Sequence, residues 1–137
     1  MAVKPGKTHH FNICNEPDVA KATYVTRLFA EEAGFDPVMR TKIATAVSEL
    51  ATNIVKYAGR GSITVGLITQ MGNPGIEIVA EDHGPGIADR TKAMSDHFST
   101  GNSLGLGLPS VKRLMDEFLM DSNVDLGTKI VVRKWRV

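Results

Sequence analysis

Three polar residues on one predicted helix, Glu49, Asn53 and Lys56, could carry chemistry together. At about 100° per residue they fall within a sector of roughly 60°, at the border of an apolar face. A carboxylate, an amide and an ammonium group are thus lined up side by side, as a polar site would require. Taken alone, the same trio also fits the solvated flank of an ordinary helix.

A second candidate motif, Asp82-His83-Gly84-Pro85-Gly86, follows directly on a predicted strand. The carboxylate of Asp82 can accept a hydrogen bond from an amino group or a base. Gly84 and Gly86 lack a Cβ atom, which allows the backbone to approach a flat ligand closely. A tight turn without a ligand is the alternative, because Gly-Pro-Gly forms one readily.

A third motif is the glycine-rich segment with Gly101, Gly105 and Gly107, which runs straight into a predicted helix. Free backbone N–H groups at a helix start suit the binding of phosphate. A flexible linker is the alternative, but the leucines interleaved with the glycines favour a packed loop.

Two predicted helices precede the second motif, and the second of these helices carries Glu49, Asn53 and Lys56. The segments Asn15-Glu16-Pro17-Asp18 and Asp36-Pro37 each place a small polar residue before a proline, which is typical of a helix start. The first helix is predicted to end at Gly34, and the second is predicted to end before Gly59-Arg60-Gly61. A loose alternation of apolar residues over 7–14 predicts a strand ahead of both helices.

The second half of the chain predicts four strands and one helix. The strands lie over 62–69, 76–80, 119–124 and 129–137, the first two forming an antiparallel hairpin, and the helix lies over 108–118. Because strands and helices do not alternate strictly, a doubly wound parallel sheet is disfavoured. We therefore predict an α+β protein: a two-layer α/β sandwich whose mixed, mostly antiparallel sheet carries helices on one face.

Length and composition narrow the class of protein. The 137 residues suit one domain over 1–137, with residues 1–6 expected to be disordered. Sixteen basic and fifteen acidic residues leave a net charge of +1, which disfavours a nucleic-acid or membrane partner. Cys14 is the single cysteine, which excludes an internal disulfide, and no apolar run reaches the roughly 20 residues of a membrane span. A cytoplasmic location is expected.

The three motifs, taken together and in this order, resemble the ATP-binding fold shared by gyrase, histidine kinases and MutL, the GHKL or Bergerat fold. The matching residues are Glu49-x-x-x-Asn53-x-x-Lys56-Tyr57, Asp82-x-Gly84-x-Gly86 and Gly101-x-x-x-Gly105-x-Gly107, followed by Gly127-Thr128 before the last strand. The resemblance spans about residues 7–137 and implies that ATP and Mg²⁺ are bound.

The resemblance also implies a role for each residue. Asp82 would bind the adenine amino group, with Thr128 assisting through a water, and Asn53 would ligate Mg²⁺. Glu49 would be the general base, and Lys56 would lie near the phosphates. The glycines would complete the pocket: Gly84 and Gly86 would close over the base, Gly105 and Gly107 would offer N–H groups to the phosphates, and residues 88–103, including Gly101, would form a lid.

Within this fold, segments 47–53, 80–87 and 105–118 resemble the serine/threonine kinases of bacterial partner-switching systems, in particular the switch kinases of the stressosome. His83 replaces an Asn that is common in the first glycine motif. The resemblance implies phosphorylation of a STAS-domain antagonist or scaffold protein, and activation of a PP2C-type serine phosphatase when the kinase is released.

Two other functions remain open on the sequence. An anti-sigma factor with serine kinase activity would have the same fold but would also sequester a sigma factor. A non-catalytic nucleotide-binding module would dock partners without transferring phosphate. The presence of Glu49 and Asn53 argues against the second, because a module without activity needs neither residue.

Overall fold

The computed structural model describes residues 2–84, 107–123 and 127–137, which form one antiparallel sheet with a layer of helices. Its elements are β1 (Lys4–Ile13), α1 (Glu16–Glu32), α2 (Pro37–Asn53), a π-helical turn (Ile54–Ala58), β2 (Gly61–Gln70), β3 (Asn73–Asp82), α3 (Leu108–Leu114), β4 (Glu117–Asn123) and β5 (Gly127–Trp135). This arrangement confirms the predicted α+β class.

The five strands follow the order β1-β2-β3-β5-β4. All four pairings are antiparallel, so the described strands lack the parallel pair that a mixed sheet would contain. The core lies between the sheet and the helices, because alternate strand residues turn one face toward them. Its members include Ala22, Phe29, Val47, Leu50, Leu108 and Val111 from the helices, and Ile63, Val65, Ile76, Ile78, Ile130 and Val132 from the strands.

Both long helices begin where the sequence predicts. The Asn15 side chain accepts a hydrogen bond from the Asp18 N–H at 2.9 Å, and the Asp36 side chain accepts one from the Met39 N–H at 2.8 Å. Each N-cap satisfies a backbone donor that the first helical turn leaves without a partner. Met71 and Gly72 adopt positive φ angles of 53° and 78°, and they close the predicted β2–β3 hairpin.

A helix is predicted over 108–118, and the predicted end is wrong, since α3 ends at Leu114 and β4 begins at Glu117. Asp116 provides the reason. Its N–H donates to the Arg133 carbonyl at 2.9 Å, and its carboxylate accepts from the Trp135 N–H at 2.8 Å and from Lys134 Nζ at 3.3 Å. These bonds to β5 draw the chain out of the helix.

The first strand also departs from the prediction, because it begins at Lys4 rather than at residue 7. Lys4 lies opposite Thr69 and Pro5 lies opposite Ile68 in β2, and the register then shifts before Thr8. Part of the segment expected to be disordered is therefore paired with the sheet. A partner strand this distant in sequence leaves no signal in the local pattern of residues.

A buried hydroxyl in α1 gives a prediction about stability. Thr26 is 1% exposed, and its Oγ1 has no hydrogen-bond partner among the described residues. Thr26→Val keeps the shape and removes the unpaired polar atom, so we expect the free energy of unfolding to rise by about 1 kcal/mol. Urea unfolding measures this change. Thr23→Val is the control, because the Thr23 hydroxyl donates to the Val19 carbonyl at 2.8 Å and no gain is expected; a loss at position 26 would contradict the prediction.

Candidate functional site

Glu49 and Asn53 lie one turn apart near the end of α2, on the same side of the helix. Both are half-buried, at the border of the face that packs on the sheet. Val47 and Leu50 anchor that face, since they are 0% and 1% exposed. The packing of α2 therefore holds a carboxylate and an amide side by side, as the helical spacing predicts.

The end of α2 continues into the π-helical turn Ile54–Ala58, which the Gly59 N–H closes by donating to the Ile54 carbonyl at 2.9 Å. Such wide turns are rare and occur frequently at functional sites. The turn brings Ala58 against Gly84, where a Cβ atom would lie 2.7 Å from the Ala58 Cβ. Only glycine allows this approach, so the second motif packs directly on the end of α2.

Asp82 lies at the end of β3 and shapes the loop that follows it. Its Oδ1 accepts a hydrogen bond from the Gly84 N–H at 2.9 Å, which fixes the carboxylate relative to the backbone. Asp82 also lines a cavity of about 150 Å³ together with Gly127 and Thr128. A half-buried carboxylate with one oxygen committed to the backbone can present the other to a hydrogen-bond donor.

Two further glycines pack around the backbone of Asp82. A Cβ atom on Gly61 would overlap the Glu81 carbonyl and lie 3.1 Å from the Asp82 Cβ. Gly127 has a φ of +97°, and a Cβ there would overlap the Asp82 carbonyl. From the sequence, Gly61 is predicted only as part of a helix stop, because its position opposite Asp82 depends on the β2–β3 register.

Thr128 lies directly opposite Asp82 across the β3–β5 pairing. Its hydroxyl oxygen is 2.9 Å from that of Ser122, the residue opposite it on β4. Ser122 is only 5% exposed. Ser122 is not predicted from the sequence, since only the pairing of β4 with β5 brings it next to Thr128.

Gly107 joins the third motif to the first. It precedes α3 with a φ of +67°, and a Cβ atom there would overlap Glu49 Oε2 and lie 3.0 Å from Glu49 Cδ. Leu108 and Val111 of α3 are fully buried in the core, and this packing keeps Gly107 close to Glu49. Residues 58 positions apart therefore meet, with the Glu49 carboxylate against the end of the glycine-rich loop.

This contact predicts the effect of a methyl group at position 107. Gly107→Ala must displace the Glu49 carboxylate and also places a Cβ in the left-handed region, which costs about 1–2 kcal/mol. We expect a drop of about tenfold or more in any activity that depends on Glu49. Steady-state kinetics measures it, with Gly72→Ala as control, since Gly72 has a φ of +78° but no atom within 4 Å of its Cβ position. An equal loss in both variants would show backbone strain alone.

Lys56 lies in the π-helical turn and is exposed, with Nζ 5.7 Å from the centre of the Tyr57 ring. It lines a groove of about 880 Å³ between α1 and α2, together with Thr52 and Tyr24. Neither Glu49 nor Asn53 lines this groove among the described residues. The predicted place of Lys56 near phosphates stays a prediction.

Three predicted site residues, Gly86, Gly101 and Gly105, and the predicted lid over 88–103 lie outside the described residues. The described part of the chain holds no group of three His, Cys, Asp or Glu residues that could bind a metal ion. None of its helices is long and apolar enough to cross a membrane.

The cysteine takes no part in this arrangement. Asp18 Oδ2 accepts hydrogen bonds from the Cys14 N–H at 3.0 Å and from Cys14 Sγ at 3.2 Å. The side-chain hydrogen bond to Asp18, with the carboxylate's charge, raises the pKa of the Cys14 thiol, while the bonds from Cys14 lower the pKa of Asp18. A raised pKa favours the protonated thiol over the thiolate, which is the nucleophilic form.

Residues 15–134 match the histidine kinase-like ATPase domain family. The chain belongs to this family. A histidine kinase-like ATPase domain binds ATP. The match covers the described site residues from Glu49 to Thr128.

Relatives of this ATPase domain include two kinds of bacterial regulator. It is 49% identical over 123 residues to serine/threonine-protein kinase RsbT of Bacillus subtilis (strain 168), covering 90% of this chain and 92% of the relative. It is 32% identical over 123 residues to anti-sigma F factor of Clostridium novyi (strain NT), covering 85% of this chain and 81% of the relative.

The fold of the ATPase domain is also similar to a solved structure, the catalytic domain of histidine kinase ThkA. The TM-score is 0.56 at 17% sequence identity, with 96% of this chain and 97% of that chain covered. This similarity confirms the predicted fold.

Proposed function

We propose that this chain is an ATP-dependent protein serine/threonine kinase of a bacterial partner-switching stress pathway. The contact between Glu49 and the end of the glycine-rich loop at Gly107 carries the proposal, because it sets a proton acceptor beside a candidate phosphate site. The 49% identity to serine/threonine-protein kinase RsbT over 90% of the chain supports the enzyme class.

The adenine of ATP binds at Asp82 in this proposal. The carboxylate accepts from the exocyclic amino group, while the Gly84 N–H keeps it oriented through the 2.9 Å hydrogen bond. Gly84, Gly61 and Gly127 allow the backbone to pack closely around Asp82, since a Cβ at any of them would collide with neighbouring protein atoms. Thr128 shares the cavity with Asp82 and contributes a hydroxyl.

The phosphates then lie along α2 toward Gly107, with Lys56 assigned to their vicinity. Mg²⁺, when bound, neutralises charge on the phosphates and usually takes one or two protein oxygens. The Asn53 side-chain oxygen suits such a hard cation, and its place one turn from Glu49 supports this assignment. Gly86, Gly101 and Gly105 are proposed to complete the nucleotide site.

Glu49 serves as the general base. Its carboxylate accepts the proton of a partner's Ser or Thr hydroxyl as that oxygen bonds to the γ-phosphorus. The bond between the γ-phosphorus and the bridging oxygen breaks, and ADP leaves. Because Gly107 has no Cβ atom, the Glu49 carboxylate can lie directly against the backbone at the end of the glycine-rich loop.

We further propose that the phosphate acceptor is a STAS-domain antagonist or scaffold protein and that the released kinase activates a PP2C-type serine phosphatase in the cytoplasm. The relatives' names support partner-switching in general, since one is a protein kinase and another an anti-sigma factor. The single-domain organisation over 1–137 is part of the same proposal.

The test incubates the protein with radiolabelled ATP, Mg²⁺ and purified STAS domains. We expect label on phosphoserine or phosphothreonine of one of them. Nucleotide binding without any transfer would favour the non-catalytic module and overturn the kinase assignment.

An anti-sigma factor with kinase activity is the second candidate, and the 32% identity to anti-sigma F factor favours it. A pull-down with sigma factors and with scaffold proteins separates the two functions. Stable capture of a sigma factor would support the second candidate, and capture of a scaffold protein alone would support the first.

A further inference from the structure

The hydroxyl groups of Ser122 and Thr128 form a pair at the end of the sheet, with their oxygens 2.9 Å apart. Thr128 lines the cavity that contains Asp82, whereas Ser122 is not among the described residues that line it. Ser122 is 5% exposed, and strand pairing places it on the side of Thr128 away from Asp82. The pair therefore connects a buried polar group to a residue that lines the cavity beside Asp82.

Strand register places the pair in one row with Asp82. Thr128 lies opposite Asp82 on one side and opposite Ser122 on the other, and residues directly opposite each other share a face of the sheet. The next row on this face contains Ala80 and Ile130, both 5% exposed and part of the core. The polar row thus lies where the apolar core ends on this face of the sheet, and apolar packing alone would not select a serine there.

Each hydroxyl has one proton to donate and two lone pairs to accept with. When Ser122 donates to Thr128, the Thr128 proton is left to donate into the cavity, beside the acceptor that Asp82 offers. Adenine presents an amino donor next to a ring-nitrogen acceptor, whereas guanine presents a carbonyl oxygen in place of the amino group. A neighbouring acceptor and donor on the protein match the first base and not the second.

We propose that Ser122 is a positioning residue for nucleotide recognition: it donates to Thr128 and thereby turns the Thr128 hydroxyl proton toward the base. This inference rests on the proposed function, since it requires that ATP binds at Asp82. Ser122 acts only through Thr128 and does not touch the nucleotide. Its effect is therefore on the preference for adenine over guanine as well as on affinity.

The test compares Ser122→Ala, Thr128→Val and the double variant by calorimetric titration with ATP and with GTP. Loss of one oriented hydrogen bond predicts about fivefold weaker ATP binding for Ser122→Ala. GTP binding should change less, so the ratio of the two dissociation constants falls. The double variant should bind ATP like Thr128→Val alone, because the proposed effect of Ser122 is transmitted by the Thr128 hydroxyl.

A purely structural role gives a different result. It lowers the free energy of unfolding of Ser122→Ala but leaves both dissociation constants unchanged, and this outcome overturns the inference, as do additive effects in the double variant. Should Ser122→Ala fail to fold, Ser122→Cys keeps a weak donor of similar size and should retain part of the ATP preference.

The proposed function is tested separately by the unaltered protein. If it binds ATP and Asp82→Asn weakens that binding while Ser122→Ala does not, only the positioning role is wrong. If the unaltered protein does not bind ATP, the proposed function fails first and the positioning role falls with it.

Discussion

Glu49→Gln is expected to abolish phosphorylation of the partner protein, with a loss of at least about 100-fold in rate. The amide has nearly the same shape as the carboxylate but cannot accept the hydroxyl proton. The glutamine side chain fits the same space beside Gly107 as Glu49 does. ATP affinity should therefore stay within about twofold of that of the unaltered protein. Single-turnover transfer from radiolabelled ATP measures the rate, and calorimetry measures the affinity.

Glu32→Gln provides a matched control for this experiment. Glu32 is an exposed residue at the end of α1, and the same loss of one negative charge there should leave transfer unchanged. A Glu49→Gln variant that phosphorylates its partner at the normal rate would refute the assignment of the base. Lost transfer together with lost ATP binding would instead assign Glu49 to the nucleotide site.

Asp82→Asn is expected to weaken ATP binding by about 10- to 100-fold, the cost of losing a hydrogen bond to a charged acceptor. The neutral amide is a poorer acceptor for the adenine amino group. The Asn oxygen must also accept the hydrogen bond from the Gly84 N–H. Its NH₂ group is then turned toward the adenine amino group, so that two donors face each other. Calorimetric titration with ATP measures the dissociation constant.

Asp121→Asn is the control for the position of the charge. Asp121 borders the same cavity but belongs to the opposite face of the sheet, where it lies across from Lys129. Its replacement should leave ATP binding within about twofold. An equal loss in both variants would show a general electrostatic effect, and an unchanged affinity for Asp82→Asn would remove Asp82 from the site.

The predicted helix starts, the hairpin and the first motif could be read from the residues because their causes are local. Asn15 and Asp36 cap helices through backbone donors three residues away. Met71-Gly72 turns the chain between neighbouring strands. Glu49 and Asn53 share a side of α2 by helical periodicity alone.

The boundaries that differ from prediction have distant causes. The end of α3 depends on Asp116, whose partners Arg133, Lys134 and Trp135 lie on the last strand. The early start of β1 depends on its pairing with residues 61–69 of β2. A helix-forming pattern can continue past the point where tertiary hydrogen bonds end the helix, so the sequence pattern overestimates its length.

By itself, the sequence determined the α+β class and the order of the motifs, because periodicity, helix caps and turn residues act over a few positions; the family followed from the resemblance of those motifs to a known fold. Only the tertiary structure decided that Gly107 meets Glu49, that Gly61 packs on Asp82 and that Ser122 contacts Thr128. Those contacts follow from strand register and helix packing. Register and packing minimise the free energy of the whole chain, and no short segment encodes them.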